Sequence, residues 1–428
     1  MARTVAVLSV CVISAMIVVD AKIGFVKDLS MDATFPPPVF RPDPSIPEGH
    51  LRPLGWQRRP DGPVRSEREM PNTREFYSDY VDKSIPVVFR NGVTEAPAFT
   101  LWEKDEYLMS KYGKQNVTVT VKVMRHRDEV HTAPQVMTLK KFMYNYLYEE
   151  WYLASTIPPA LMAELPVPKC LRCGTISRSL QEAELWVSSG GTSSRLHSHD
   201  DHNLHCVFFG RRDFILIDNQ FRNNFAFIHD YEGSLSGHSR LNMEIINSFK
   251  YKNIIMTPWI WSTLYPGDCI FIPAGYLHQV RSYGRSISLT VKFAPSTSFD
   301  DNGCKLIEEE FLPLTEASFT WTFTEGRRHL SNSQLNAETL KNLLLLQMGT
   351  RHSLSRDKFR HFYQASMASG SEHPPADEVF AMLAGEGKQE LGRLQLISLA
   401  DDLLLAVAAI FNSAQPGYRQ HATLHEEF

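Results

Sequence analysis

The spacing of hydrophobic and polar positions changes character several times along the chain. Residues 22 to about 74 carry no period and are punctuated by proline (Pro36, Pro37, Pro38, Pro42, Pro44, Pro47, Pro53), which fixes φ and removes backbone donors. This stretch is expected to be extended and irregular, wrapped on a core or partly disordered. From Glu75 the pattern becomes regular. Phe76 to Tyr80 reads as helical, Ile85 to Arg90 as a strand, and Leu101 to Tyr112 as a helix with Leu101, Trp102, Tyr107, Leu108 and Tyr112 apolar. Val117 to Val123 alternates Val with Thr or Lys, the signature of a half-buried strand, and Thr138 is placed to cap a helix through Phe142, Met143 and Tyr146.

Between Glu184 and Phe293 the period shortens. Leu185–Ser188, His205–Phe209, Phe214–Asp218, Ser262–Leu264, Cys269–Ile272 and Ser286–Phe293 read as short strands separated by Gly and Pro, which predicts a β-barrel or sandwich. Beyond Asp301 helical spacing returns, strongest over Ala337–Met348 and Glu390–Phe411. The second is apolar on much of its circumference, so it should bury two sides, against the barrel or against a second copy in a homodimer. Phe380 to Gln395 has the outline of a calcium helix–loop–helix. It lacks the acid at loop position one and the glycine at position six, so a plain helical connection is expected. The organisation predicted is a leader over 1–21, a proline-rich segment over 22–74, a mostly β domain over 75–300 and a helical region over 301–428. No internal repeat is evident.

The N-terminus adds a destination. Arg3 precedes an apolar run from Val5 to Val19, shorter than the ~20 residues a bilayer span takes. Val19 and Ala21 suit cleavage after Ala21, the pattern of a signal peptide. No other stretch is long and apolar enough to span a membrane. Asn116-Val117-Thr118 is a glycosylation sequon, and the terminal His425-Glu426-Glu427-Phe428 resembles lumenal retrieval tails. The expectation is a glycoprotein of the endoplasmic reticulum lumen, or a secreted one. Charge then removes one class of partner. With a formal net charge of −4, and with Arg58, Arg59, Arg65 and Arg68 interleaved by acids, nucleic acid is not expected. Of six cysteines, Cys170 and Cys173 form a CxxC pair expected to be a disulfide in an oxidising compartment. Cys206 and Cys269 sit in apolar runs and read as buried small residues. Cys304 is left over, or competes for the CxxC pair.

Candidate chemistry gathers in two segments, Ser194 to Arg212 and Pro266 to Val280. In a strand, residues i and i+2 share a face, so His197 and His199 can hold one cation together. His278, after a strand ended by Pro273-Ala274-Gly275, can supply a third ligand and leave the opposite face of an octahedral metal open.

These segments resemble the JmjC branch of the cupin-like iron(II)- and 2-oxoglutarate-dependent oxygenases. That family shows Thr/Ser-x-x-His-x-Asp, then Asn, Gly and a basic residue, and later Pro-Gly-Asp, an apolar strand, Ile-Pro-x-Gly and a distal His. The likeness runs from about Glu75 to Pro295. It implies a double-stranded β-helix, Fe(II) and 2-oxoglutarate as cofactors, and a protein substrate hydroxylated on a side chain. His197, His199 and His278 take the ligand places. Ser194, Asn203 and Arg212 fall where the family binds 2-oxoglutarate, and Lys292 offers a second positive charge. Arg stands where Lys is usual and still pairs with a carboxylate. The main departure is His199 in place of Asp. Asp201 offers an alternative His199-x-Asp201 register, which the spacing to Asn203 and Gly210 disfavours. A three-histidine site leaves two readings open: an oxygenase, or a non-catalytic binding barrel keeping a structural metal.

Overall fold

The computed structural model describes residues 34–39, 43–126, 129–149, 151–304, 310–324, 327–331, 335–367 and 371–414. The expected leader over 1–21 and the tail His425 to Phe428 lie outside them.

The chain builds a double-stranded β-helix from Val87–Phe89 (β1), Asn116–His126 (β2), Glu129–Thr138 (β3), Trp151–Thr156 (β4), Leu180–Ser188 (β5), His202–Ile217 (β6), Ile260–Leu264 (β7), Cys269–Ile272 (β8) and Leu277–Phe293 (β9). The path is β1–β8–β6–β9–β5–β4–β2–β3. The long strands β6 and β9 pair antiparallel from His202↔Phe293 to Ile217↔Leu277 and belong to both layers. The first half of β6 pairs with β8 and its second half with β7. The late half of β9 pairs with β5, while its early half pairs with the short strands Thr192–Ser193 and His197–Ser198.

The sequence reading split β6 in two at Gly210-Arg211-Arg212. The structure shows one strand with register shifts on both sides of Phe209. Gly210 lies at φ +81°, where a Cβ would meet the Arg285 carbonyl oxygen at 2.1 Å. Only glycine fits there. The shifts also change which side chains face inward. Asn203, His205 and Val207 face the interior in the first half; Arg212, Phe214 and Leu216 do so in the second.

Apolar side chains fill three layers around this frame. Val207, Phe214, Leu216, Ile270, Ile272 and Val280 pack inside the barrel. Phe76, Trp102, Phe142, Leu204, Phe208 and Phe293 pack between one sheet and the N-terminal helices, among them Asp105–Tyr112 (α1) and Leu139–Asn145 (α2). Ile215, Ile217, Phe225 and Trp259 pack behind the other sheet. Thr138 caps α2 by accepting a 3.2 Å bond from the Lys141 amide, as its place in the sequence suggested. The described part of the proline-rich segment lies on the barrel: Gly62–Pro63 pairs with Ile260–Trp261, and Arg65–Glu67 pairs with β1.

The helical region departs from the sequence reading. Glu390–Phe411 is not one helix. It is a short strand, Glu390–Gly392, followed by helices Arg393–Ile397 and Asp401–Ser413. Together with Ala337–Met348 (α3), Arg356–Ser366 (α4) and Ala376–Ala384 (α5), these form two helix–loop–helix units. Their loops join as an antiparallel pair, Ser353–Ser355 with Glu390–Gly392, centred on Leu354 and Leu391, both fully buried. The two loops are thereby more than a plain connection, and two arginines tie them together. Arg356 Nη2 donates to the Lys388 carbonyl at 2.7 Å, and Arg393 donates to the carbonyls of Gly349 and Arg351. Each arginine begins the helix after its own loop and reaches across to the other. The unit buries its apolar faces in a core of its own, including Leu344, Phe359, Phe380, Leu404 and Phe411.

The cysteine pairing also differs. Cys173 bonds Cys304, and Cys206 bonds Cys269, whereas Cys170 is free and buried. The Cys170–Cys173 pairing expected from the CxxC spacing is therefore overturned. Cys170 points into the main apolar core beside Leu165 and Leu171. Cys173 faces the segment after β9, which is tied down by Thr175 N to Asp300 O at 2.9 Å and by the Arg178–Asp300 ion pair at 2.6 Å. Cys206 and Cys269 stand directly opposite in the β6–β8 ladder, a partnership that lies outside any local pattern.

Candidate metal centre and adjoining cavity

His197 lies on a two-residue strand held between Gly237–Ser239 and the start of β9, and it faces His278 directly in register. His199 follows one pleat later, its carbonyl accepting the Gly275 amide at 2.9 Å. Nitrogen atoms of His197, His199 and His278 all lie within 4.8 Å of one another, the group that could hold a metal among the described residues. Asp201 is outside that group, so the geometry takes the His197 register.

The rings are prepared as ligands. His197 Nδ1 donates to the Arg195 carbonyl at 2.7 Å, and His278 Nδ1 donates to the Tyr276 carbonyl at 3.1 Å, which leaves Nε2 with its lone pair on each ring. Burial pulls the His197 imidazole down to about 4, and holds His199 and His278 well below the ordinary histidine range, helped by the nearby Lys292 charge. Three neutral imidazoles at neutral pH suit a borderline divalent metal. The donor set fits iron.

Beside the triad, Ser194, Asn203 and Arg212 line the same cavity, together with Tyr152, Trp186 and His205. Arg212 is fully buried. Its Nη1 donates to Tyr152 Oη at 2.9 Å and its Nη2 to the Trp186 carbonyl at 3.3 Å, while its Nε finds no partner among the described residues. Asn203 Oδ1, Trp186 Nε1 and His205 Nε2 are likewise buried and unsatisfied. Such atoms are costly unless a ligand or water completes them. Ser194 accepts the Val280 amide at 2.9 Å, which fixes the motif strand to β9. Lys292 is placed differently: Glu182 at 3.2 Å and Glu184 at 2.8 Å clasp its ammonium, and it does not line the cavity. The polar lining fits a carboxylate. The free volume is about 30 Å3, room for about two waters.

Two residues escaped the sequence reading. His205 appeared only as the start of a strand, yet it shares the cavity. Asp200, between His199 and Asp201, is the joint to the helical region. It accepts from the Leu235 amide at 2.8 Å and Ser234 Oγ at 2.9 Å, and it pairs with Arg351 at 3.0 Å and Lys358 at 3.8 Å. His202, tilted against both Phe271 and Phe293 and accepting the Ala274 amide at 3.1 Å, is a packing residue. Asn116 opens β2 with its side chain exposed.

Comparison with known proteins adds a family. Residues 73–299, more than half the chain, match the cupin-like domain. Among relatives, the chain is 24% identical over 235 residues to Jumonji C domain-containing protein 5 of Drosophila melanogaster, covering 52% of this chain and 58% of that protein. It is 24% identical over 226 residues to lysine-specific demethylase JMJ30 of Arabidopsis thaliana, covering 50% of this chain and 51% of that one. It is 27% identical over 232 residues to lysine-specific demethylase 8 of Danio rerio, covering 51% and 56%. The chain thus spans little more than half the length of these relatives.

Proposed function

The chain belongs to the cupin-like domain family, of the JmjC type, and from that premise we propose that it is an iron(II)- and 2-oxoglutarate-dependent oxygenase that hydroxylates a protein side chain in the secretory pathway. The observation that carries this reading is the convergence of three neutral, oriented imidazoles and a buried arginine on one cavity. Iron with 2-oxoglutarate would supply the oxidising chemistry. The part of the chain is to position it. His197, His199 and His278 would hold the metal, with the rings of His197 and His278 oriented by backbone carbonyls. Arg212 would pair the far carboxylate of the cosubstrate, with Tyr152 and Asn203 beside it. Apolar walls from Phe214, Ile272 and Val280 keep bulk water from the reacting centre.

A protein substrate is consistent with relatives named lysine-specific demethylases. No helix among the described residues is long and apolar enough to cross a membrane. Three features support a lumenal or secreted site of action: two disulfides, an exposed sequon at Asn116 and the apolar N-terminal run. Succinate release from 2-oxoglutarate, with iron and ascorbate, tests the oxygenase. Turnover by the wild type that vanishes in His197→Ala supports it. One feature favours the second reading, a binding barrel with a structural metal: His199 removes the carboxylate that donates charge to iron. Silence in the wild type with turnover gained in His199→Asp would establish that reading.

A further inference from the structure

β6 carries a fourth imidazole into the cavity, one that the metal cluster does not use. His205 lies two residues beyond Asn203, on the same face of the strand, and is 5% exposed. Its Nδ1 shares a 2.8 Å hydrogen bond with Thr290 Oγ1 of β9, and its ring meets Phe214 edge-on at 5.2 Å. These two contacts fix the ring on both sides. The third corner, Nε2, is buried with no hydrogen-bond partner among the described residues, on a residue that lines the cavity. An apolar side chain would fill this position without leaving a buried polar atom, so the polarity points to something that enters the cavity.

The neighbours decide what that is. Arg212 Nε–H lines the same cavity and is also unsatisfied. When the Thr290 hydroxyl donates to Nδ1, the proton of the neutral ring sits on Nε2. Two N–H groups, one of them cationic, then require acceptors, and neither offers a lone pair to a cation. A carboxylate answers both with its two oxygens. We propose that His205 is a binding residue for the far carboxylate of a 2-oxo dicarboxylate, donating from Nε2 beside Arg212. This deepens the oxygenase reading and rests on it.

The test uses the full mature chain loaded with zinc as a redox-silent substitute, titrated calorimetrically with 2-oxoglutarate and with pyruvate. Pyruvate keeps the 2-oxo acid end and lacks the far carboxylate. His205→Leu should weaken 2-oxoglutarate about tenfold or more and shift pyruvate by less than about twofold, because one hydrogen bond to a charged group is lost. Metal content should be unchanged. His205→Gln, whose amide also donates, should recover part of the loss. Equal weakening of both acids, or 2-oxoglutarate affinity untouched in His205→Leu, overturns the assignment while leaving the oxygenase reading standing. A metal-loaded wild type that binds neither acid overturns that reading and this assignment with it.

Discussion

His199 sets the charge of the metal site. Three neutral ligands leave a divalent ion with its full charge, where a carboxylate would cancel one unit. That favours a dianionic cosubstrate and disfavours the oxidised states of iron, and each ~1.4 kcal/mol added to the barrier costs tenfold in rate. Purified protein should carry about one transition metal per chain, and His278→Ala should lose most of it, since a bidentate remnant binds far more weakly. Elemental analysis reads this directly; equal metal in both removes His278 from the site. Gly210 is the other single-residue pivot. At φ +81° and with the Arg285 carbonyl 2.1 Å from any Cβ, Gly210→Val should lose about 2 kcal/mol or more in urea unfolding. It should also weaken 2-oxoglutarate binding, because the inward phase of Arg212 depends on that bulge.

At the scale of elements, the joined loops of the helical region give a sharp expectation. Arg356 and Arg393 donate to loop carbonyls across the pair, and the second loop opens on Ala384, with no acid at the position where calcium needs one. Added calcium should therefore leave the melting temperature unchanged, whereas Arg393→Ala should lower it by several degrees, each ~1 kcal/mol counting for roughly 2–4 °C in a chain of this size. A calcium-dependent rise in wild type would contradict this. What the sequence disclosed at this scale follows range. The Val/Thr alternation before Val123, the Thr138 cap and the strands around Cys269 and Phe293 were legible because their signals are local. The His197, His199 and His278 convergence was legible because two long motifs carry it. The loop pairing of Leu354 with Leu391, the continuity of β6 through Gly210, and the Cys206–Cys269 bond were not, because each depends on a partner far along the chain. Glu390–Phe411 misled for a related reason: the helix Asp401–Ser413 is preceded by a five-residue helix and a short strand whose pairing partner lies far along the chain.

At the scale of the molecule, a barrel and a helical unit with a separate core meet beside the metal strand. Asp200 is the joint, with Arg351 and Lys358 on the other side. Arg351→Ala should leave the barrel folded yet loosen that joint. Hydrogen exchange should rise around residues 198–202, and Asp200→Asn should reproduce the effect. The surface carries the localisation argument. Expressed through the secretory pathway, the protein should lose mobility shift on endoglycosidase treatment when Asn116 is changed to Gln, and removal of His425 to Phe428 should raise its secretion. A cytosolic, unglycosylated product would end the lumenal reading.

The cystine between Cys173 and Cys304 spans a sequence separation of 131 residues, while Cys170 stands three positions from Cys173 and remains a thiol. Loop closure favours near neighbours over distant ones, so a nascent chain meets Cys170 before Cys304 has been synthesised. The early oxidised chain should hold the local CxxC bridge, and maturation then requires its exchange for the distant one. Once folded, Cys170 is buried and its thiol is pushed far above the usual range, which closes the reverse route. In an oxidising compartment, maturation would then call for isomerisation as well as oxidation. Trapped early intermediates should show the 170–173 bond, and Cys170→Ala should hasten arrival at the native pairing.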